Sequence, residues 1–155
     1  MRRGTPEKRI IEPDVRYSSV VVERLIRHMM VDGKKSVATR LMYDAMDIVQ
    51  ERSGRDAFEV FSQAINNVSP VMEVRPRRVG GATYQIPMEV PADRRLSLAM
   101  RWMITAAKAR SGKSFPEKLA AEIMDAANNQ GAAVRRREET HRMAEANRAF
   151  SHLRV

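Results

Sequence analysis

Apolar residues recur along most of this chain at the three-and-four spacing of helices, and one stretch breaks the rhythm. From Ser19, Val22, Leu25, Ile26, Met29 and Met30 fall on one face, with Asp32-Gly33 predicted as a glycine C-cap. Val37, Leu41, Met42, Ala45, Met46 and Val49 give a second helix one apolar face. A third opens with Asp56 and Glu59 as a capping box and carries Phe58 or Phe61, Ala64, Ile65 and Val68 inward before Ser69-Pro70 stops it. Pro91 and Asp93 start a fourth helix, with Leu96, Ala99, Trp102 or Met103, and Ala106 on its apolar side. Ser114 and Glu117 form a second capping box, for a fifth helix bearing Leu119, Ile123, Met124 and Ala127 and ended by Asn129-Gln130-Gly131. From Ala132 to about Phe150 the stripe thins to Val134, Met143, Ala146 and Phe150. This sixth helix is therefore predicted on the outside.

Between the third and fourth helices, residues 71–90 change period. Met72, Val74, Tyr84, Ile86, Met88 and Val90 occupy even positions, and Glu73, Arg75, Arg77, Thr83, Gln85 and Glu89 odd ones, on either side of Gly80-Gly81. That alternation predicts an antiparallel hairpin. If even residues face even residues, the loop must have an odd number of residues, three or five. Pro76 and Pro87 cannot donate to a ladder, so the element is a two-stranded ribbon. The predicted fold is mainly α: about six helices in one domain over residues 1–155, with a protruding β-ribbon at about 71–90. A basic arm over 1–17 precedes it and an outer C-terminal helix over 132–150 closes it.

Charge sharpens this reading. The chain carries 28 basic and 19 acidic residues, a net +9, unevenly spread. Residues 71–113 alone hold nine basic and three acidic side chains, so the ribbon and the helix after it form the positive centre. Such a field favours a polyanion. The arm contributes Arg2, Arg3, Lys8, Arg9 and Arg16 and is broken by Pro6 and Pro13, a composition expected to order on a phosphate backbone. Lys34 and Lys35 stand at the start of the second helix, where cations oppose the macrodipole and an anion would relieve the penalty. Arg94, Arg101 and Lys108 recur at i, i+7 and i+14, beside Arg95. No acidic residue lies between Arg94 and Lys113 to neutralise that face.

Several chemistries are excluded. There is no cysteine, hence no disulfide, thiolate zinc site or cysteine nucleophile. His28, His141 and His152 have no metal-ligand spacing. Gly112-Lys113-Ser114 resembles the end of a phosphate-binding loop, but Ala107 stands where that motif needs glycine and a helix precedes it. No catalytic residue, metal or cofactor is expected. No apolar run reaches the length of a signal or membrane segment, so a cytoplasmic protein with no membrane partner is expected.

VDGKKS at Val31–Ser36, NNVSP at Asn66–Pro70, MEVRPRRVGGATYQIPMEV at Met72–Val90, LAMRW at Leu98–Trp102 and HRMAEANRAF at His141–Phe150 together resemble the bacterial small-subunit ribosomal protein seven family. The resemblance runs from the arm to the last residues. It implies a non-enzymatic ribosomal protein that binds the 3′ major domain of small-subunit ribosomal RNA, nucleates assembly of the subunit head and touches neighbouring ribosomal proteins. It also implies contact with exit-site tRNA near the subunit interface, and some bacterial members repress their own messenger RNA. Carried over by position, the rRNA-facing residues are Arg2, Arg3, Lys8, Arg9, Lys34, Lys35, Arg75, Arg77, Arg78, Arg94, Arg95, Arg101 and Lys113. The tRNA-facing residues are Gly80, Gly81, Thr83, Tyr84, Arg142, Met143, Asn147 and Arg148. Many members end in Tyr-Arg-Trp, whereas Leu153-Arg154-Val155 stands here, so contacts of those aromatics do not transfer. A rival from another class is a winged-helix DNA-binding regulator, whose order is also three helices and a basic hairpin. The three further helices, and the lack of a base-reading Asn, Gln and Arg set on the third, weigh against it.

Overall fold

The computed structural model describes residues 3–154, so Arg2 and Val155 lie outside the described residues. Six α-helices and one antiparallel pair of strands follow in the order α1 (Val20–Met29), α2 (Lys35–Ser53), α3 (Ala57–Val68), β1 (Met72–Val79), β2 (Ala82–Glu89), α4 (Ala92–Ala109), α5 (Phe115–Ala127) and α6 (Ala132–Ala146). A short 3₁₀ helix, Arg148–Leu153, ends the chain. The mainly helical fold with one two-stranded ribbon is the one the periodicity predicts. Two compact units divide the chain, Met1–Arg40 and Leu41–Val155.

In the first unit, the Asp14 carboxylate accepts the backbone N–H groups of Arg16, Tyr17 and Ser19 at 2.8–3.1 Å. Ser19 then caps α1, its hydroxyl accepting from the Val22 N–H at 3.3 Å. A buried carboxylate thus sets where the arm stops and the helix starts. The predicted glycine C-cap is not what ends α1. Met30 turns into extended backbone at that point, and Asp32-Gly33 forms a separate turn, both residues at positive φ, with the Lys34 N–H on the Val31 carbonyl.

The second unit is built on alanine and methionine. Met42, Ala45, Met46 and Val49 of α2 are buried, while Val37, also placed on that face by spacing, is exposed. In α3, Phe61 is buried and Phe58 is not, and in α4 Met103 is buried while Trp102 is only half-buried. Helix α3 packs on α5, and α4 lies against α3, α5 and α6. The alanines of α4 and α5, Ala99, Ala106, Ala107, Ala120 and Ala126, allow that closeness, and Met100 and Met103 fill the gaps. Neither capping box closes: Asp56 and Ser114 sit at the N-caps of α3 and α5 without a side-chain hydrogen bond.

Polar links fasten the helices at their ends. The Asn67 amide donates to the last carbonyls of α5, Ala126 at 2.9 Å and Ala127 at 3.1 Å, and the Asn67 carbonyl accepts from Arg137 of α6. Glu122, fully buried in α5, accepts from Arg110 at 2.5 Å and from the Ala133 N–H at 3.0 Å. It therefore caps α6 from a neighbouring helix, placing an anion where Arg135-Arg136-Arg137 would otherwise oppose the dipole unaided. Gly131 makes that approach possible, since a Cβ there would lie 2.9 Å from the Glu122 carboxylate. Helix α6 stops at Ala146, short of the predicted Phe150. The Asn147 amide folds back onto the Met143 carbonyl at 2.8 Å, and the following residues tighten into the 3₁₀ helix.

The ribbon register corrects the predicted loop. Val79 pairs with Ala82 and Met72 with Glu89, so the loop is the two residues Gly80-Gly81, both at positive φ as a primed turn requires. Even residues of β1 therefore face odd residues of β2. One face carries Glu73, Arg75 and Arg77 with Met88, Ile86 and Tyr84; the other carries Met72 and Val74 with Pro87. Both faces are covered at the base, which is why each strand has an apolar parity of its own. Leu153 joins Ile86 and Met88 in one cleft, and His141 and Ala144 of α6 join Met72 and Pro87 in another. Glu73 is the charged residue buried on the first face, and it is tolerated there because Arg94 grips it with two bonds, 2.7 and 3.0 Å, and Arg75 adds a third at 3.2 Å.

Two outcomes follow for stability. Glu122→Ala leaves Arg110 without its buried partner and α6 without its cap, and chemical denaturation should show a loss of about 2–4 kcal/mol; an unchanged midpoint would mean the cap is dispensable. His141 accepts the Val71 N–H on Nε2 at 2.9 Å, which requires its neutral form. Burial, then the Arg137 charge, holds its pKa below the ordinary 6.5. The unfolded chain then binds more protons just below that value, so this contribution is complete above pH 6.5 and declines as pH falls. Thermal melts between pH 7.5 and 5.5 should show a fall that His141→Gln reduces, and equal slopes for both proteins would contradict it.

Candidate nucleic-acid interface

Arginine stems are long enough to lie along the ribbon, and their heads divide into held and unheld. Arg75 is tied to Glu73. Arg77, directly opposite Tyr84, donates to the Leu153 carbonyl. Arg78, opposite Thr83 on the other face, is exposed and has no intramolecular partner among the described residues. The turn residues Gly80 and Gly81 are exposed beside it.

Helix α4 repeats the division. Arg94 belongs to the Glu73 pair, and Arg95 donates to the Val90 carbonyl at 2.8 Å, closing the junction between β2 and the helix. Those two candidates anchor the ribbon. Arg101 and Lys108, about two and four helical turns beyond Arg94 on the same face, are exposed without side-chain partners among the described residues, as is Lys113 in the following loop. Arg110, which drew no notice in the sequence, is committed to Glu122 and to Asp125 at 2.7 Å.

In the first unit Lys35, the first residue of α2, reaches the buried Glu23 at 2.7 Å, and Arg27 joins it at 3.1 Å. Burial pushes the Glu23 carboxyl up, but the Lys35 and Arg27 bonds outweigh it and leave it below the ordinary value. An internal anion thus relieves part of the penalty at that helix start. Lys34 is exposed without a partner among the described residues. Arg3, Lys8 and Arg9 lie on an exposed segment with no helix or strand, which also presents Ile10 at 94% exposure.

Of the residues matched to a tRNA-facing role, Tyr84 meets the 3₁₀ helix, while Thr83 stands on the opposite face of the ribbon with Arg78. The Tyr84 ring lies 5.2 Å from that of Phe150, tilted by 46°, so the ribbon tip and the 3₁₀ helix share one surface. Arg142 and Met143 are exposed, Arg148 pairs with Glu145 at 3.3 Å while both stay in solvent, and Asn147 spends its amide on the helix end. Arg154 donates to the Pro87 carbonyl at 2.6 Å and Leu153 covers Ile86 and Met88, so the non-aromatic C-terminal segment is itself part of the ribbon mount.

The residues sequence reading passed over, Glu73, Asn67, Arg110 and Glu122, each have at least one partner 11 to 70 positions away. Only the burial of a lone glutamate in an apolar stretch could have signalled them. Among the described residues no three His, Asp or Glu side chains are placed to hold a metal, and no helix is long and apolar enough to cross a membrane.

Residues 1–148 match the family described as Ribosomal protein S7p/S5e. The chain is 61% identical over 153 residues to the small ribosomal subunit protein uS7 of Caldanaerobacter subterraneus subsp. tengcongensis, covering 99% of this chain and 98% of that one. It is 58% identical over 154 residues to its counterpart in Chloroherpeton thalassium, covering 99% of each. The uS7 protein of Thermomicrobium roseum is 58% identical over 153 residues, 99% of this chain and 98% of its own. The fold, the divided cations and these matches agree: the chain belongs to the S7p/S5e family of small-subunit ribosomal proteins, a structural family and not one of enzymes.

Proposed function

We propose that the protein binds the folded 3′ major domain of small-subunit ribosomal RNA and nucleates assembly of the subunit head. The observation that carries this reading is the set of exposed cations Arg78, Arg101, Lys108 and Lys113, without side-chain partners among the described residues, close in sequence to arginines that are locked in internal bonds. Folded RNA hides its major-groove edges, so a protein recognises backbone and shape, and charges fixed on a rigid frame suit that task. Arg94 and Arg95 act in this scheme by holding the ribbon at a set angle, and Arg75 and Arg77 by holding its base and tip. Lys34, Arg3 and Arg9 supply phosphate contacts from the first unit.

The shared surface of the ribbon tip and the last helix, with Gly80, Gly81, Thr83, Arg142 and Met143 exposed, is the second contact, toward the backbone of exit-site tRNA. A family in which some members repress their own messenger RNA extends the first surface to a transcript that mimics the ribosomal site.

The two contacts are separable by mutation. Arg78→Ala with Lys113→Ala should weaken binding to the 3′ major domain transcript, flatten the dependence of log affinity on log salt by about 1–2 units, and leave helical circular dichroism unchanged. Arg142→Ala with Arg148→Ala should leave that slope alone and speed release of deacylated tRNA from the exit site. An unaltered slope in the first pair would remove those cations from the RNA surface, and unaltered release in the second would remove the tRNA assignment.

A further inference from the structure

A groove of about 420 Å³ runs between α4 and α6, lined by Trp102, Thr105, Ala106 and Ala109 on one side and Ala132 and Arg136 on the other. Its floor is methyl groups and its largest wall is an indole, left half-buried although α4 buries Met100, Met103 and Ile104 completely or nearly so. Trp102 is the one tryptophan of the chain. A merely structural tryptophan at this position has more apolar surface to cover than the groove gives it.

The borders of the groove are cationic on both sides. Arg101 and Lys108 flank Thr105 along α4 without partners among the described residues. Arg136 lines the groove from α6 and, among the described residues, its guanidinium has only a 3.5 Å contact to an exposed Glu139, while Arg135 beside it is exposed with no partner among them. An occupant must therefore offer a flat apolar face together with negative charge at its edge. An unstacked nucleotide has both: its base stacks on an aromatic face and its phosphate seeks a guanidinium. An acidic protein segment meets the charge but not the flat, shallow shape.

We propose that the α4–α6 groove receives one unstacked base of the small-subunit RNA, laid against the indole of Trp102, with the flanking phosphates held by Arg101, Lys108 and Arg136. This rests on the RNA-binding function proposed above and adds to it a base contact that backbone recognition alone does not need. Thr105, which lines the groove one turn from Trp102, is the polar side chain available to bond an edge of that base.

The sole tryptophan makes the test direct. Titrating the full-length protein with the 3′ major domain transcript, while binding is followed separately by filter retention, should quench Trp102 emission in step with binding. Trp102→Leu should lower affinity about tenfold, the effect of one stacked base, and Trp102→Phe should recover most of it, with circular dichroism reporting that each variant is folded. Full binding with unchanged emission overturns the groove assignment and leaves RNA binding intact. Emission that responds only when neighbouring small-subunit proteins are added assigns the groove to a protein and overturns it too. No binding at all overturns the RNA reading and the groove with it. If Trp102→Leu fails to fold, the quenching of the unmodified protein decides alone.

Discussion

A two-stranded ribbon is marginal in water, and the anchor that ties this one to the following helix is a buried carboxylate. Glu73 is buried on the ribbon face it shares with Ile86 and Met88 of β2, where an unpaired anion would be costly, and it is tolerated because Arg94 meets both its oxygens. The Arg94 bonds, against the opposing push of burial, keep the Glu73 carboxyl below its ordinary range, with Arg75 adding to them. Because Arg94 lies in the first turn of α4, that pair fixes the ribbon to the helix that carries Arg101 and Lys108. His141 holds the start of the ribbon through Val71, and Arg154 and Leu153 hold its other strand. Removing one anchor would leave the tip able to swing, and with it the spacing between Arg78 and the α4 cations.

The net charge of +9 therefore overstates what is available to a partner. Arg94, Arg95, Arg110 and Arg137 are engaged with a carboxylate or a carbonyl, and Lys35 and Arg27 share Glu23. What remains is a smaller set on a stiff scaffold. Such a set loses little conformational freedom when it meets a phosphate, which suits a protein that must bring RNA helices to fixed positions.

Periodicity made the helices legible because each buries a continuous stripe, and the Gly80-Gly81 pair made the hairpin legible because few other dipeptides turn so tightly. The loop length was not legible. Inferring it required one buried face, and the ribbon base is covered on two, so Met72 and Ile86 share parity in the sequence while lying on opposite sides. The capping boxes at Asp56 and Ser114 were recognisable as helix starts, but the side-chain bonds they imply did not form. The caps that do matter come from afar: Glu122 on α6 and Asn67 on α5. Local pattern cannot register those. Among the candidate site residues, type and position were readable, but the split between anchoring and free cations was not, since Arg94 and Arg101 look alike one heptad apart. The winged-helix alternative failed for a reason already visible, the three helices after the hairpin, and family membership settled it.

That split is what most needs direct measurement. Arginine-specific modification with a dicarbonyl reagent, read by mass spectrometry with and without the 3′ major domain transcript, reports every guanidinium at once. RNA should protect Arg78 and Arg101 strongly while the reactivity of Arg94 and Arg110 stays as it is in the free protein. Protection centred on Arg94 and Arg110, with Arg78 and Arg101 still reactive, would contradict the division between cations that hold the fold and cations that hold the RNA.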